Sequence, residues 1–330
     1  MDGMAAAGTA LMKAVRVHTF GDPDRLVHEE VPRPSPGPGE VLVRVHAAGV
    51  NPPDGYARRG FADLPEAIRP AWPLPFTPGW DISGVVVEAG AGVSEWQPGD
   101  EVFGMVNFPG RGSGYAEYAV SPTGHLARKP ASLGHVEAAA VPMAGLTAHQ
   151  FLFDHLGLGP DDGPVLVNGA AGGVGHFAVQ LARIAGAGPV IGVASGRHES
   201  FLEELGVDRF VDYTRTPPED AVRDVAVLID AVGGPHGHRL LPVLRSGGRI
   251  APVFPGDYHP ERAERAGITV SGHQVRSDGG QLAELARLID ADRLRVGIDS
   301  VFPLTEARRA HERAERGHLQ GKIVLRVEAP

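Results

Sequence analysis

A chain of 330 residues with 42% hydrophobic and 22% charged side chains has the length and apolar content for two folded domains, which excludes disorder over most of its length. A formal charge of -9 without any dense Lys/Arg block argues against nucleic acid and anionic membrane as partners and leaves a small-molecule ligand. No cysteine is present, so disulfides, thiolate catalysis and cysteine-held metal are excluded, redox chemistry has to come from a cofactor, and a reducing cytoplasm is the expected compartment.

The opening MDGMAAAGTAL lacks the basic start and long apolar core of a signal peptide and reads as a frayed extension before Met12. No stretch reaches the roughly twenty apolar residues that span a bilayer. From Lys13 to about Ala119, short β-rich runs (KAVRV, EVLVRVHAAGV, DISGVVVEAG) alternate with Pro/Gly clusters, which predicts an all-β, barrel-like domain. From about Pro122 to Asp292 apolar strands (PVLVNGA, PVIGVA, RFVDY, VAVLIDAV, GRIAPV) alternate with helical segments, the rhythm of a parallel, doubly wound sheet. QLAELARLIDADRL places Leu282, Leu285, Leu288 and Ile289 on one helical face, suited to docking the second domain on the first. TEARRAHERAERG predicts a solvated helix, and GKIVLRV a strand that returns to the β-rich domain.

One turn carries the chemistry. The strand Val165–Val167 enters Ala170, Ala171, Gly172, Gly173, Val174 and Gly175, and Ala178, Val179, Leu181 and Ala182 continue as a helix. Small residues let the backbone approach a pyrophosphate, and the unpaired N–H groups of a helix start bind the anion, so the turn predicts a dinucleotide site although Ala170 stands at the first glycine position of G-x-G-x-x-G. The next strand ends in Ala194-Ser195-Gly196-Arg197-His198, where an NAD binder usually has a carboxylate for the ribose 2′-OH. A hydroxyl at Ser195 and a guanidinium at Arg197 suit a 2′-phosphate instead, which predicts NADPH as cofactor. The alternative for Arg197 is a solvent-facing residue, poorly matched to the positive end of the following helix.

The ordered motifs MKAVRV, PGPGEVLVRVHAAGVNPPDGYARRG, PFTPGWDISGVVVEAGAGV, QPGDEVFG, GSGYAEYAV, AAAVPMAGLTAH, AAGGVGHFAVQLA, ELGVDRFVDYT and GKIVLRV cover nearly the whole chain from Met12. In these the chain resembles the medium-chain dehydrogenase/reductase superfamily, in the zinc-independent, zeta-crystallin-like quinone oxidoreductase branch. The resemblance implies an α/β fold class: a Rossmann doubly wound parallel-sheet domain (122–292) plus a GroES-like β-barrel catalytic domain (12–121, completed by 293–330). It also implies a homodimer, for which GITVSGHQV is a possible pairing edge. Where alcohol dehydrogenases of the superfamily carry zinc ligands, this chain has Asn51 and Trp80, and the cysteine-rich structural zinc loop is absent, so no metal is expected. The histidines at 236, 238, 311 and 318 read as surface or core-satisfied residues, since no H-E-x-x-H occurs.

The same resemblance implies Asn51 and Tyr56 as active-site residues, Thr147 as a nicotinamide contact, and Tyr213 and Lys322 as cofactor contacts. A phenol and an amide can donate hydrogen bonds to an oxygen that gains charge as hydride arrives. For Asp54, turn chemistry beside Pro52 and Pro53 is an equal reading, and for Lys322 a solvated strand edge is the alternative. Trp72, Trp80, Phe108, Phe254 and Tyr258 line either a substrate cleft or a core. The expected activity is NADPH-dependent hydride transfer to a quinone or α,β-unsaturated carbonyl (an enone). Two alternatives stay open: an enoyl or alkenal double-bond reductase, and an NADPH-binding sensor or structural protein without turnover.

Overall fold

The computed structural model describes residues 10–62, 64, 66, 69–272 and 274–327; the extension before Met12 lies, up to residue 9, outside them, as does His273 of GITVSGHQV. Strands β1 (Leu11–Val17) and β2 (Leu26–Pro32) pair as an antiparallel ribbon. The long apolar β3 (Glu40–Val50) runs into helix α1 (Pro52–Arg58), whose two leading prolines lack only N–H groups that a first turn leaves unbonded anyway. After it come β4 (Asp81–Ala89), β5 (Glu101–Met105), β6 (Tyr118–Pro122) and the short β7 (Leu126–Arg128).

Helices α2 (His135–Ala139) and α3 (Pro142–His149) lead into the alternating half: β8 (Val165–Asn168), α4 (Gly175–Ile184), β9 (Val190–Ala194), α5 (Glu199–Glu204), β10 (Arg209–Asp212), α6 (Pro218–Ala221), β11 (Val225–Asp230), β12 (Leu244–Pro252), α7 (Pro260–Arg265), β13 (Thr269–Val270) and α8 (Gly279–Asp290). All six strands are parallel, in the order β10-β9-β8-β11-β12-β13. The order reverses between β8 and β11, so a crevice opens at their carboxyl ends, where such sheets bind ligands. The side chains that end these strands meet there, Asn168 Nδ2 donating to Asp230 Oδ1 at 2.8 Å.

The chain then returns, as expected, through β14 (Ile298–Pro303), α9 (Ala307–Glu315) and β15 (Lys322–Arg326), and β15 pairs antiparallel with β3. The mixed sheet runs β14-β15-β3-β4-β5-β7, with β6 also on β3. Among the described residues its ladders trace an open path ending at β14 and three-residue β7, so closure of the expected barrel is not among them. Helix α9 is less solvated than its charge implies, because Ala307, Ala310 and His311 are buried.

One apolar cluster joins the two sheets, from Phe76 and Met105 through Leu146 to Val167, Phe177 and Leu285. Helix α8 packs Leu282, Leu285 and Ile289 inward against α3 and β7 as its periodicity predicts, each side chain contributing about 1.5–3 kcal/mol by burial. This shared core fixes the parallel sheet against the mixed sheet, with the crevice between them.

Candidate active site

The glycine turn is built as read. Gly169 takes a left-handed φ of +76°, and Ala170 is fully buried behind it. A Cβ on Gly175 would lie 2.2 Å from Gly169 O, and one on Gly173 3.0 Å from Lys322 Cδ, so only bare backbone fits this cradle. Gly172 and Val174 complete it, half-buried, at the start of α4. Such a surface of small residues and a helix start accepts a dinucleotide pyrophosphate. The turn is tied to the returning chain, since Gly321 N donates to Ala171 O at 2.8 Å. His176 braces it from below: its Nδ1–H donates to Gly172 O at 3.0 Å while Nε2 accepts from Gly297 N at 3.2 Å, and burial lowers its pKa to about 4.

At the end of β9, Ser195 is half-buried and Arg197 exposed. Arg197 Nη2 donates to His318 O at 2.5 Å and Nε to His198 Nε2 at 3.1 Å, and Tyr213 Oη meets His318 Nδ1 at 3.1 Å. Arg197 and Tyr213 are thus gathered with a histidine from the returning segment, and Ser195 stands two residues before Arg197 at the strand end. The strand end is not free of acid, however. Asp212, from the neighbouring β10, lies so close to Gly196 that a Cβ there would be 2.6 Å from Asp212 Oδ2. Hydrogen bonds from Thr214 (Oγ1 at 2.7 Å, N at 3.0 Å) occupy its Oδ1 and hold the carboxyl below its usual range. Sequence spacing looks for this acid on β9; register across the sheet supplies it from β10.

On the facing wall, Lys322 is not a solvated edge residue. It is 4% exposed, its stem against Gly173, and Nζ donates to Val50 O at 3.0 Å and to Asn51 Oδ1. Asn51 Nδ2 donates to Asp81 Oδ2 at 2.9 Å, and Asp81 lies 3.9 Å from Lys322 Nζ. Asp81 Oδ1 accepts from Met143 N at 2.9 Å, at the start of α3, where the helix dipole favours an anion. Burial raises the Asp81 carboxyl to about 6, against the lowering effect of Lys322; burial also lowers the lysine. Sequence reading noticed Trp80 and passed over Asp81; the signal was a lone carboxylate at the head of the apolar strand DISGVVV.

Asp54 is fully buried, and its turn role holds only in part. Its Oδ2 accepts from Asn51 N at 2.7 Å and Tyr115 Oη at 3.0 Å, and burial pushes the carboxyl up to about 7. Behind it, Tyr115 Oη lies 3.3 Å from His311 Nε2, whose Nδ1 accepts from Arg58 Nη1 at 3.0 Å, and Arg58 pairs with Glu315. His311 is thus core-satisfied, with its pKa lowered to about 3 by burial and the two neighbouring arginines.

Tyr56 is half-buried on α1, its ring 5.5 Å from Phe254 across the crevice and 5.3 Å from the Arg59 guanidinium. Thr147 is buried, its hydroxyl donating to Met143 O at 2.6 Å, which leaves the oxygen as an acceptor only. Of the aromatic candidates, Trp80 and Tyr258 are core: Trp80 Nε1 donates to Gly110 O at 2.6 Å, and Tyr258 Oη to Asp230 Oδ2 at 2.6 Å. Trp72, Phe108 and Phe254 keep partial exposure. Asn51, bonded at both ends of its amide, and Trp80, a buried indole that only donates, do not fit a zinc centre.

The alcohol dehydrogenase GroES-like domain family matches residues 37–131, and the zinc-binding dehydrogenase family residues 205–325. The chain is 33% identical to the chloroplastic quinone-oxidoreductase QR1 of Triphysaria versicolor, covering 96% of this chain and 98% of that one. Among solved structures, the quinone oxidoreductase from Coxiella burnetii is similar with a TM-score of 0.87 at 35% identity, over 97% of this chain and 100% of that one. A mycobacterial protein solved in complex with NADPH gives a TM-score of 0.82 at 29% identity, over 96% and 100%. With the glycine turn, the returning strand and the Asn51 site in place, the chain belongs to the medium-chain dehydrogenase/reductase superfamily, in its quinone oxidoreductase branch.

Proposed function

We propose that this oxidoreductase uses NADPH to reduce a quinone or an α,β-unsaturated carbonyl without zinc, working as two domains, 12–121 with 293–330 and 122–292. The observation that carries the reading is Lys322: a buried ammonium delivered by the last strand, lying against the glycine turn and hydrogen-bonded to Asn51. Ala170 and Gly172 to Gly175 hold the pyrophosphate. Ser195, Arg197 and Tyr213 hold the 2′-phosphate, with Asp212 turned to Thr214, and Thr147 and Lys322 serve the nicotinamide end. When bound, NADPH supplies a hydride from its nicotinamide C4.

The protein's part is orientation and charge. Asn51 Oδ1 is held by Lys322 and one Nδ2–H by Asp81, so the amide is locked with its remaining N–H available to an acceptor oxygen. The nearby ammonium favours negative charge on that oxygen as hydride arrives, in a site with little water to screen it. Tyr56, on the helix α1 that Asn51 caps, gives a second donor and relays the completing proton from water. Partly exposed Trp72, Phe108 and Phe254 favour flat, conjugated acceptors. In the same reading two copies pair along the edge strand β13, where Val270 is exposed.

The test is cofactor consumption with NADPH and NADH against a quinone, an enone, an alkenal and a saturated aldehyde, with and without chelator. Quinone or enone reduction that prefers NADPH and ignores chelator is expected. NADPH binding without turnover on any acceptor would move the protein to the sensor or structural class, and turnover abolished by chelator in both the parent protein and His259→Asn would overturn zinc independence.

A further inference from the structure

We propose that His238, Asp257 and His259 form a binding site for a divalent metal of the zinc, cobalt or nickel type, which clamps two loops at the ligand end of the parallel sheet. The loops follow β11 and β12 and are already stitched by backbone: Gly234 N donates to Pro255 O at 3.0 Å, Asp257 N to Gly234 O at 3.0 Å, and His238 N to Asp257 O at 2.6 Å. These bonds hold the three side chains on one small surface. One ligand atom from each lies within 4.8 Å of the others, and the two imidazole rings are 4.3 Å apart. Bonds of about 2.0–2.1 Å in tetrahedral array separate ligand atoms by about 3.4 Å. His259 Nδ1 and Asp257 Oδ1 stand 3.4 Å apart, at that spacing, and small side-chain rotations close the rest.

A second observation points the same way. His238 Nδ1 is buried and, among the described residues, has no hydrogen-bond partner, a state that native structures seldom leave without a bound water or ion. This corrects the expectation that His238 is a satisfied or simply exposed histidine. Two imidazoles and one carboxylate suit borderline cations, whereas magnesium and calcium require oxygen-rich sets. Among the described residues no other three such side chains bring ligand atoms so close. A fourth position is left to water.

The clamp moves no electrons and does not rest on the reductase reading. Its loops carry Phe254, which faces Tyr56, and Tyr258, whose hydroxyl bonds Asp230, so metal binding braces one wall of the crevice.

The experiment titrates chelator-stripped full-length protein with Co²⁺ and then Zn²⁺, reading visible cobalt absorption, stoichiometry and thermal midpoint. One Co²⁺ per chain with four-coordinate bands, displaced by Zn²⁺, and a raised midpoint are expected. His238→Ala and His259→Asn should each weaken binding at least about tenfold, the range seen even when a ligand's supporting partner is removed. Asn suits position 259 because it tolerates the left-handed φ of +44° there, so this variant decides the matter if His238→Ala fails to fold. Absence of binding by the parent protein, or parental affinity in His259→Asn, overturns the proposal and marks any bound ion as adventitious.

Discussion

Replacing Lys322 by Met removes a charge while keeping a stem that can pack on Gly173. In the parent chain Asp81 has two neutral donors, Asn51 Nδ2 and Met143 N, and one cation at 3.9 Å. The variant strands a fully buried carboxylate with the neutral donors alone, and breaking a buried pair this way costs about 3–5 kcal/mol. That cost applies only while Asp81 is ionised. Burial already places its carboxyl at about 6 with the lysine present, and loss of the cation raises it further. A carboxyl raised in the folded state keeps its full contribution below its unfolded value of about 3.9 and loses it as pH rises through the folded value. The variant's deficit is therefore small near pH 5 and large near pH 8, growing by about 1.4 kcal/mol per pH unit between the parent's folded value and the variant's higher one. Urea unfolding of parent and variant at both pH values, compared at equal m, measures it. Adding Asp81→Asn should recover most of the loss. A deficit under about 1 kcal/mol near pH 8, or one of equal size near pH 5, would refute the reasoning.

Three further outcomes are expected. Arg197→Glu removes a charge-assisted contact of about 1.5–3 kcal/mol, so NADPH use should fall roughly ten- to hundredfold in kcat/KM with NADH little changed; equal losses for both would place the 2′-phosphate elsewhere. Tyr56→Phe should lower turnover about tenfold or more while NADPH affinity, read by fluorescence titration, stays near the parental value; a normal rate would remove the hydroxyl from the chemistry. His311, lowered to about 3, stabilises the fold above its unfolded value of about 6.5 and loses that contribution as pH falls toward the folded value, so His311→Gln should flatten the acid limb of the stability profile measured by thermal unfolding.

The parallel sheet and its glycine turn were legible because their causes are local: apolar runs of strand length, helical spacing, and small residues where backbone must come close. The return of β15 was legible from composition alone. What sequence hid was pairing at a distance. Asp81 gains meaning from Lys322 at the other end of the chain, and Asp212 reaches Gly196 only through the register of β10 on β9. Trp80 and Tyr258 illustrate another limit, since an aromatic beside a crevice and one beneath it have the same sequence context, and only their hydrogen bonds to Gly110 and Asp230 reveal the core position. His238 shows the converse, a residue read as surface or core-satisfied whose buried Nδ1 has no partner among the described residues.

The segment after α9 has a double role that follows from these contacts. Gly321 bonds the glycine turn, His318 meets both Arg197 and Tyr213, and Lys322 holds Asn51, so three successive parts of the proposed cofactor face are completed by residues that arrive after the parallel sheet is built. A ligand that requires the assembled face binds only when this segment is docked, and by mass action it must stabilise the docked arrangement by RT ln(1 + [L]/Kd). Coupling of this kind ties cofactor affinity to the seating of β15 on β3. Loss of binding in a Lys322 variant therefore has two sources, the missing ammonium and a less firmly seated strand. The pH dependence of stability separates them, because the buried Asp81 and Asp54 carboxyls, at about 6 and about 7, change charge between pH 5 and 8 and respond to the missing ammonium, whereas the seating of the strand does not titrate.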